Sequence, residues 1–161
     1  MSKTLSAITR RRLNVQGFCD VDDETLTNIA PWLRMAFGMC SLIAGVGTVL
    51  ASPTILWILT PIAALGAIFP VHPFDLIYNF GIRHIRKTGP LPKRRAQSRF
   101  ACGLGAVWLV ATAWAFQAGA LTTGYILGGT LTGVGVLVST TDICIPSMIY
   151  NALFSRSQIS T

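Results

Sequence analysis

Two stretches of this chain carry no Asp, Glu, Lys or Arg: Met35 to Phe74 and Phe100 to Thr141, runs of 40 and 42 residues. No other feature limits the fold so strongly. An α-helix rises about 1.5 Å per residue, so roughly 20 apolar residues cross a hydrocarbon core of about 30 Å. Each run is long enough to cross twice and predicts a helical hairpin. A soluble core able to enclose helices that are apolar on every side is out of reach for 161 residues. Only 12% of the residues are charged, against about 25% in soluble domains.

The breaks fall near the middle of each run. Ser52-Pro53 interrupts the first after Met35 to Ala51, and Pro suits the first turn of the helix that follows. Gln117 to Thr123, with Gly119 for a turn, is the most polar part of the second. Spans are expected near 34–51, 54–71, 100–117 and 123–145. The fold class is therefore all-α: a polytopic membrane protein with four transmembrane helices in two hairpins. Residues 1–30 read as a polar cytoplasmic tail, 31–155 as the transmembrane domain and 156–161 as a C-terminal tail. The first 30 residues contain no apolar stretch ahead of a small-residue cleavage site, so the first span is expected to act as the insertion signal.

The thirteen basic residues then fix an orientation. Lys3, Arg10, Arg11, Arg12 and Arg34 precede or open span one, seven lie between Arg83 and Arg99, and Arg156 follows span four. The two hairpin turns have none. Because cytoplasmic segments collect Lys and Arg, both termini and the middle loop are expected inside. Arg83, Arg86, Lys87, Lys93, Arg94, Arg95 and Arg99 are read as lipid-headgroup ligands, each contributing about 1 kcal/mol near an anionic surface. A nucleic-acid partner is not expected. Phe74, Ile77, Tyr78, Gly81 and Ile85 share one face at helical spacing and predict a short interfacial helix, ended by Gly89-Pro90-Leu91-Pro92. Asp22 is read as the start of a short helix ahead of Pro31. The Arg10 to Arg12 triplet is read as lying loosely on anionic lipid.

Few residues could carry chemistry. In this orientation Cys40, Cys102 and Cys144 fall in the cytoplasmic half and Cys19 in the tail, where thiols stay reduced, so no disulfide framework is expected. His72 and Asp75 end span two on the same inner face as Asp142 and Cys144 at the end of span four. His, Cys and carboxylate are ligands for zinc or iron, although these come without a diagnostic spacing. Capping by His72 and Asp75 is the simpler reading. For Asp142, the only acid in the last apolar segment, an ion pair with Arg34, Arg83 or Arg99 is expected. Cys144-Ile145-Pro146-Ser147 has the form of a redox Cys-x-x-Cys with Ser at the second thiol, so any exchange would need Cys40 or Cys102 as partner. No cofactor is expected, since His72 and His84 lie at or outside the inner boundary. Gly124, Gly128, Gly129, Gly133 and Gly135 permit close helix packing in span four.

Three of these elements, Val71-His72-Pro73-Phe74-Asp75, Arg99-Phe100-Ala101-Cys102-Gly103 and Ile143-Cys144-Ile145-Pro146-Ser147, carry a resemblance. Over residues 30–155 the chain resembles a bacterial family of small integral membrane proteins described only as a domain of unknown function. The resemblance implies a four-span bacterial inner-membrane protein whose last span often ends in Cys-x-x-Cys. Cys144 matches the first thiol, and Ser147 departs at the second. The leading functional expectation is a noncatalytic accessory or assembly subunit, contacting the lipid bilayer and a membrane protein partner or a second copy. A thiol-redox or metal-binding protein at the cytoplasmic face comes next, then a small-solute transporter.

Overall fold

A computed structural model describes residues 6–86 and 89–154. Lys87 and the tail 156–161, with their expected roles, lie outside the described residues, as does the Arg86 side chain. The protein is all-helical: α1 (Ala7–Val15), α2 (Asp23–Val49), α3 (Pro53–Ile68), α4 (Pro73–Ile77), a π-helical turn (Tyr78–Ile82), α5 (Arg83–Arg86), α6 (Ala96–Gln117), α7 (Leu121–Thr141) and α8 (Ile145–Phe154). Helices α2, α6 and α7 are each long and apolar enough to cross a membrane. Helix α3 joins the segment after it through a bend of 83°, and taken together as one broken span they make a fourth. It is a multi-pass membrane protein.

The long helices form a ring in which α3 packs on α6, α6 on α7, α7 on α2 and α2 on α3. Its dry interior is built from small and branched residues, among them Ala44, Leu56, Leu59, Ala63, Ala106, Leu109 and Ala113. Small residues let backbones approach where lipid supplies no hydrophobic drive between helices. The hydroxyls of Ser41, Thr48, Thr60 and Thr112 donate to carbonyls four residues back, so they are satisfied within their own helices. At one end the α2–α3 turn passes through Ala51 at φ 46° and the α6–α7 turn through Gly119 at φ 77°. There the Trp57 indole N–H donates to Gln117 at 2.9 Å.

The other end, which holds the basic loop, differs from the sequence reading in four ways. Helix α2 runs through Pro31 instead of starting after it. Pro31 cannot donate to the Thr27 carbonyl, but it lies on the exposed side while Leu26, Ile29, Ala30 and Leu33 stay buried. Asp22 is the N-cap, its carboxylate accepting from the Thr25 N–H at 2.8 Å, and this bond holds its pKa below the ordinary value. Second, the fourth span stops at Thr141, because Asp142 takes a left-handed conformation (φ 59°) that ends α7. The chain resumes as α8, an element the sequence reading missed.

Third, the face of the expected interfacial helix is broken. Tyr78 is buried in the core while Ile77, Phe80 and Ile85 are exposed, and the π turn from Tyr78 onward adds a residue per turn. Fourth, the N-terminal segment is folded. Leu13 and Phe18 join Leu26, Ile29, Leu33, Tyr78 and Leu91 in a second core beneath the ring. Arg10 donates to the Val21 carbonyl at 2.6 Å and pairs with Asp23 at 3.3 Å, and Arg12 donates to the Thr141 carbonyl at 2.7 Å. The arginine triplet is thus anchored on protein by two of its members.

A thiol-lined cavity as the candidate functional site

Between α2, α6, α7 and α8, at the end carrying the second core, lies a cavity of about 320 Å³. This is at the lower end of the size of small-molecule sites, roughly 300–1,000 Å³. Its wall is almost wholly apolar, with Ala36, Leu59, Ala63, Trp108, Leu131 and Val138 among the contributors. Three helical segments each bring a free cysteine to it: Cys40 from α2, Cys102 from α6 and Cys144 from the α7–α8 corner. His72 and Arg94 close one end. Cys19, exposed beside α1, stands apart.

The three sulfurs have different surroundings. His72 sits at the N-cap of α4, where its Nδ1 accepts from the Phe74 N–H at 3.3 Å. A neutral ring held this way carries its proton on Nε2, which faces the Cys40 sulfur at 4.0 Å. Cys144 lies just before α8, and its sulfur accepts from the Ser147 hydroxyl at 3.1 Å. Ser147 thus occupies the second position of the Cys-x-x-Ser element as a hydrogen-bond donor to the first. Cys102 is buried, and among the described residues it has no hydrogen-bond partner. It is within electrostatic reach of both Cys40 and Cys144.

Arg94 corrects the sequence reading most sharply. Expected at lipid headgroups, it is 3% exposed and lies under the cavity. Its Nε and Nη2 donate to the two carboxylate oxygens of Asp75 at 2.7 and 2.8 Å, its Nη1 donates to Ser98 at 3.2 Å, and its plane lies 5.2 Å from the Phe37 ring centre. Burial works against its charge, but the bonds and charge of Asp75 outweigh this and hold its pKa above the ordinary value. A carboxylate so well met gives the guanidinium no reason to reach for lipid. Of the other loop cations, Arg99 donates to the Ala67 and Ile68 carbonyls at 2.9 and 2.6 Å, capping α3. Arg95 pairs with Asp20. Lys93 is exposed and Arg83 partly so.

The acids do not gather around a metal. Asp75 is taken by Arg94, and Asp142 goes to Arg34, whose Nε donates at 2.6 Å and whose Nη2 pairs with the second oxygen. Gln16 covers the Asp142 backbone carbonyl at 2.9 Å. Among the described residues no group of three His, Cys, Asp or Glu side chains could hold a metal ion. The candidate cluster of His72, Asp75, Asp142 and Cys144 is therefore split, each carboxylate having its own arginine, and His72 and Asp75 form the capping box of α4.

The glycines divide into two sets. A methyl group on Gly124 would strike Phe116, on Gly128 it would strike Thr48, and on Gly135 it would strike Ser41, so these three seat neighbouring helices. Gly129 and Gly133 face open space. Sequence reasoning missed two others: Gly66, whose missing side chain makes room for the His72 ring, and Gly105, which lines the cavity with nothing near its Cβ position. Glycine in an apolar helix gives no sign of which neighbour it admits.

Fold and site define a multi-pass helical membrane protein built around a small, thiol-lined apolar cavity. The chain belongs to the family described as Domain of unknown function (DUF4395), whose model matches residues 28–154. No curated protein and no solved structure matches it.

Proposed function

We propose that this is a bacterial inner-membrane protein with its termini and basic loop in the cytoplasm, and that it binds a small apolar molecule in the thiol-lined cavity. The thiol cluster favours this over a noncatalytic subunit. The observation that carries it is the convergence of Cys40, Cys102 and Cys144, from separate helical segments, on one apolar space. Packing needs no such convergence. Sulfur is soft and polarizable and suits contact with apolar or sulfur-bearing molecules. The asymmetric placement of the basic residues supports this orientation, and with it a cavity in the cytoplasmic half.

Differential alkylation tests this. In native membranes carrying a Cys19→Ser variant, a small uncharged maleimide should label the cavity thiols and a membrane-impermeant charged one should not. Gly105→Phe should fill the space and block the labelling. Equal labelling by both reagents, or no effect of Gly105→Phe, would overturn the reading.

The accessory-subunit reading keeps one observation in its favour. Gly129 and Gly133 lie on an open face of α7, where a helix of another protein or a second copy could approach closely. Copurification after mild detergent extraction tests it, and a protein that always runs alone counts against it.

A further inference from the structure

The three cavity thiols are not equivalent, and their differences suggest an order of reaction. Cys144 precedes the first residue of a ten-residue helix, with its sulfur held by the Ser147 hydroxyl. The same hydroxyl lies 3.3 Å from the Gln97 carbonyl at the start of α6, tying the corner down. Hydrogen bonds to sulfur and a helix N-terminus both favour a thiolate over a thiol. Cys40 has only the 4.0 Å approach of His72. Cys102 is more than nine-tenths buried, lines the cavity and has no hydrogen-bond partner among the described residues. Cys144 packs with Ala101, the residue next to Cys102 in α6. Burial pushes the Cys144 thiol above its ordinary pKa and the Ser147 hydrogen bonds work against that rise. Cys144 is thus the cavity thiol with the most contacts favouring attack, and the unengaged Cys102 is within electrostatic reach of it.

The cavity wall also limits the substrate. Arg94, the one arginine or lysine among the described residues of its lining, is occupied by Asp75, and the wall is almost wholly apolar, so a charged peptide disulfide does not fit. Leu104, Thr130, Ile145 and Ile149 on its rim are exposed on the outside of the bundle. Entry from the bilayer side is open to a small uncharged molecule.

We propose that Cys144 is the attacking thiol of a thiol–disulfide exchange with a small, uncharged disulfide that enters the cavity from the bilayer, and that Cys102 resolves the product. In the first step the Cys144 sulfur, giving up its proton, attacks one sulfur of R–S–S–R. The S–S bond breaks, a Cys144–S–S–R mixed disulfide forms, and R–S⁻ leaves with that proton as R–SH. In the second, Cys102 attacks the Cys144 sulfur. A Cys102–Cys144 disulfide forms, a second R–SH leaves, and the two protein thiols have been oxidised as the substrate is reduced. Ser147, standing where a second thiol would close a local ring, leaves resolution to Cys102.

This proposal rests on the cavity reading, and the experiment separates the two. The full chain with Cys19→Ser and Cys40→Ser is reacted in lipid nanodiscs with dithiodipyridine, a small uncharged disulfide, and released thiopyridone is counted. The parent should release two per chain and end with a Cys102–Cys144 disulfide on peptide mapping. Cys102→Ala should release one and retain the mixed disulfide on Cys144. Ser147→Ala should slow the first release about threefold for each unit by which the thiol pKa rises. Cys144→Ser should abolish the fast release while keeping the size-exclusion profile of the parent. If Cys144→Ser leaves the first release unchanged while Gly105→Phe slows it, the assignment to Cys144 fails and the cavity stands. If Gly105→Phe has no effect, the cavity reading falls with it.

Discussion

The Arg94 guanidinium and the Asp75 carboxylate meet through two parallel hydrogen bonds, and neither side chain reaches solvent, with exposures of 1% and 3%. The pair joins the basic loop to α4, and a further bond from the Arg94 backbone N–H to the Pro70 carbonyl at 2.7 Å fixes the same loop to the end of α3. The floor of the cavity depends on this joint.

Removing one partner strands the other. Asp75→Asn should destabilise the protein by about 3–5 kcal/mol, the range found when a buried ion pair loses one member. The double variant Asp75→Leu with Arg94→Met should recover a large part of that loss, because no charge is then left buried. Thermal unfolding midpoints in detergent measure both. A double variant as unstable as the single one would show that the pair does more than satisfy itself.

Gly128 and Gly129 are adjacent and should behave oppositely. A methyl on Gly128 meets Thr48 Cγ2 at 2.6 Å, whereas on Gly129 it meets nothing. Gly128→Ala should lower stability by about 1–3 kcal/mol through overpacking, and Gly129→Ala should stay within about 0.5 kcal/mol. The same melting experiment compares them. If Gly129→Ala instead dissolves a copurifying complex without changing the melt, the open face of α7 is an interface.

Asp22 gives a pH dependence whose sign follows from its cap. Its folded pKa lies below the ordinary value because of the bond from the Thr25 N–H. The stabilisation is therefore complete above about pH 4, the unfolded carboxylate value, and is lost as pH falls through the lower folded value. The difference in melting midpoint between the parent and Asp22→Ala should shrink on acidification. Asp22→Asn, which also caps but does not titrate, should show a gap to Asp22→Ala that does not change.

Gly66 holds the door for His72. A Cβ there would come within 2.8 Å of Nε2, so Gly66→Ala should push the ring aside and take away the His72 approach to the Cys40 sulfur. Alkylation of Cys40 by a small maleimide should speed up, and an unchanged rate would show that the ring is not seated by this contact.

The bundle was legible in the sequence because lack of charge over 40 residues is a property of the run itself. The site was legible only in part. Asp142 stood out as the one acid in its segment, and the structure selects Arg34 from the three partners the sequence allowed. Arg94 could not be told from Lys93 and Arg95, because its partner is 19 residues away and only the 83° bend brings Asp75 beneath it. Tyr78 was grouped with the exposed Ile77 and Ile85 by helical spacing, which cannot show that the Trp32 ring, 5.2 Å away, packs against it. Helix α8 was hidden because Ile143, Cys144 and Ile145 continue the apolar pattern of α7 while the backbone turns at Asp142.

The docking of α1 has a consequence for how the protein is made. Arg12 and Gln16 bind the carbonyls of Thr141 and Asp142, 129 and 126 residues later, and Asn151 in α8 reaches back to Val15. At about 5–20 residues per second, translation leaves the first helix waiting roughly 6–26 s before its docking site exists. The last turn of α7 supplies the seat for α1, so α1 can dock only after the long helices between them have been made.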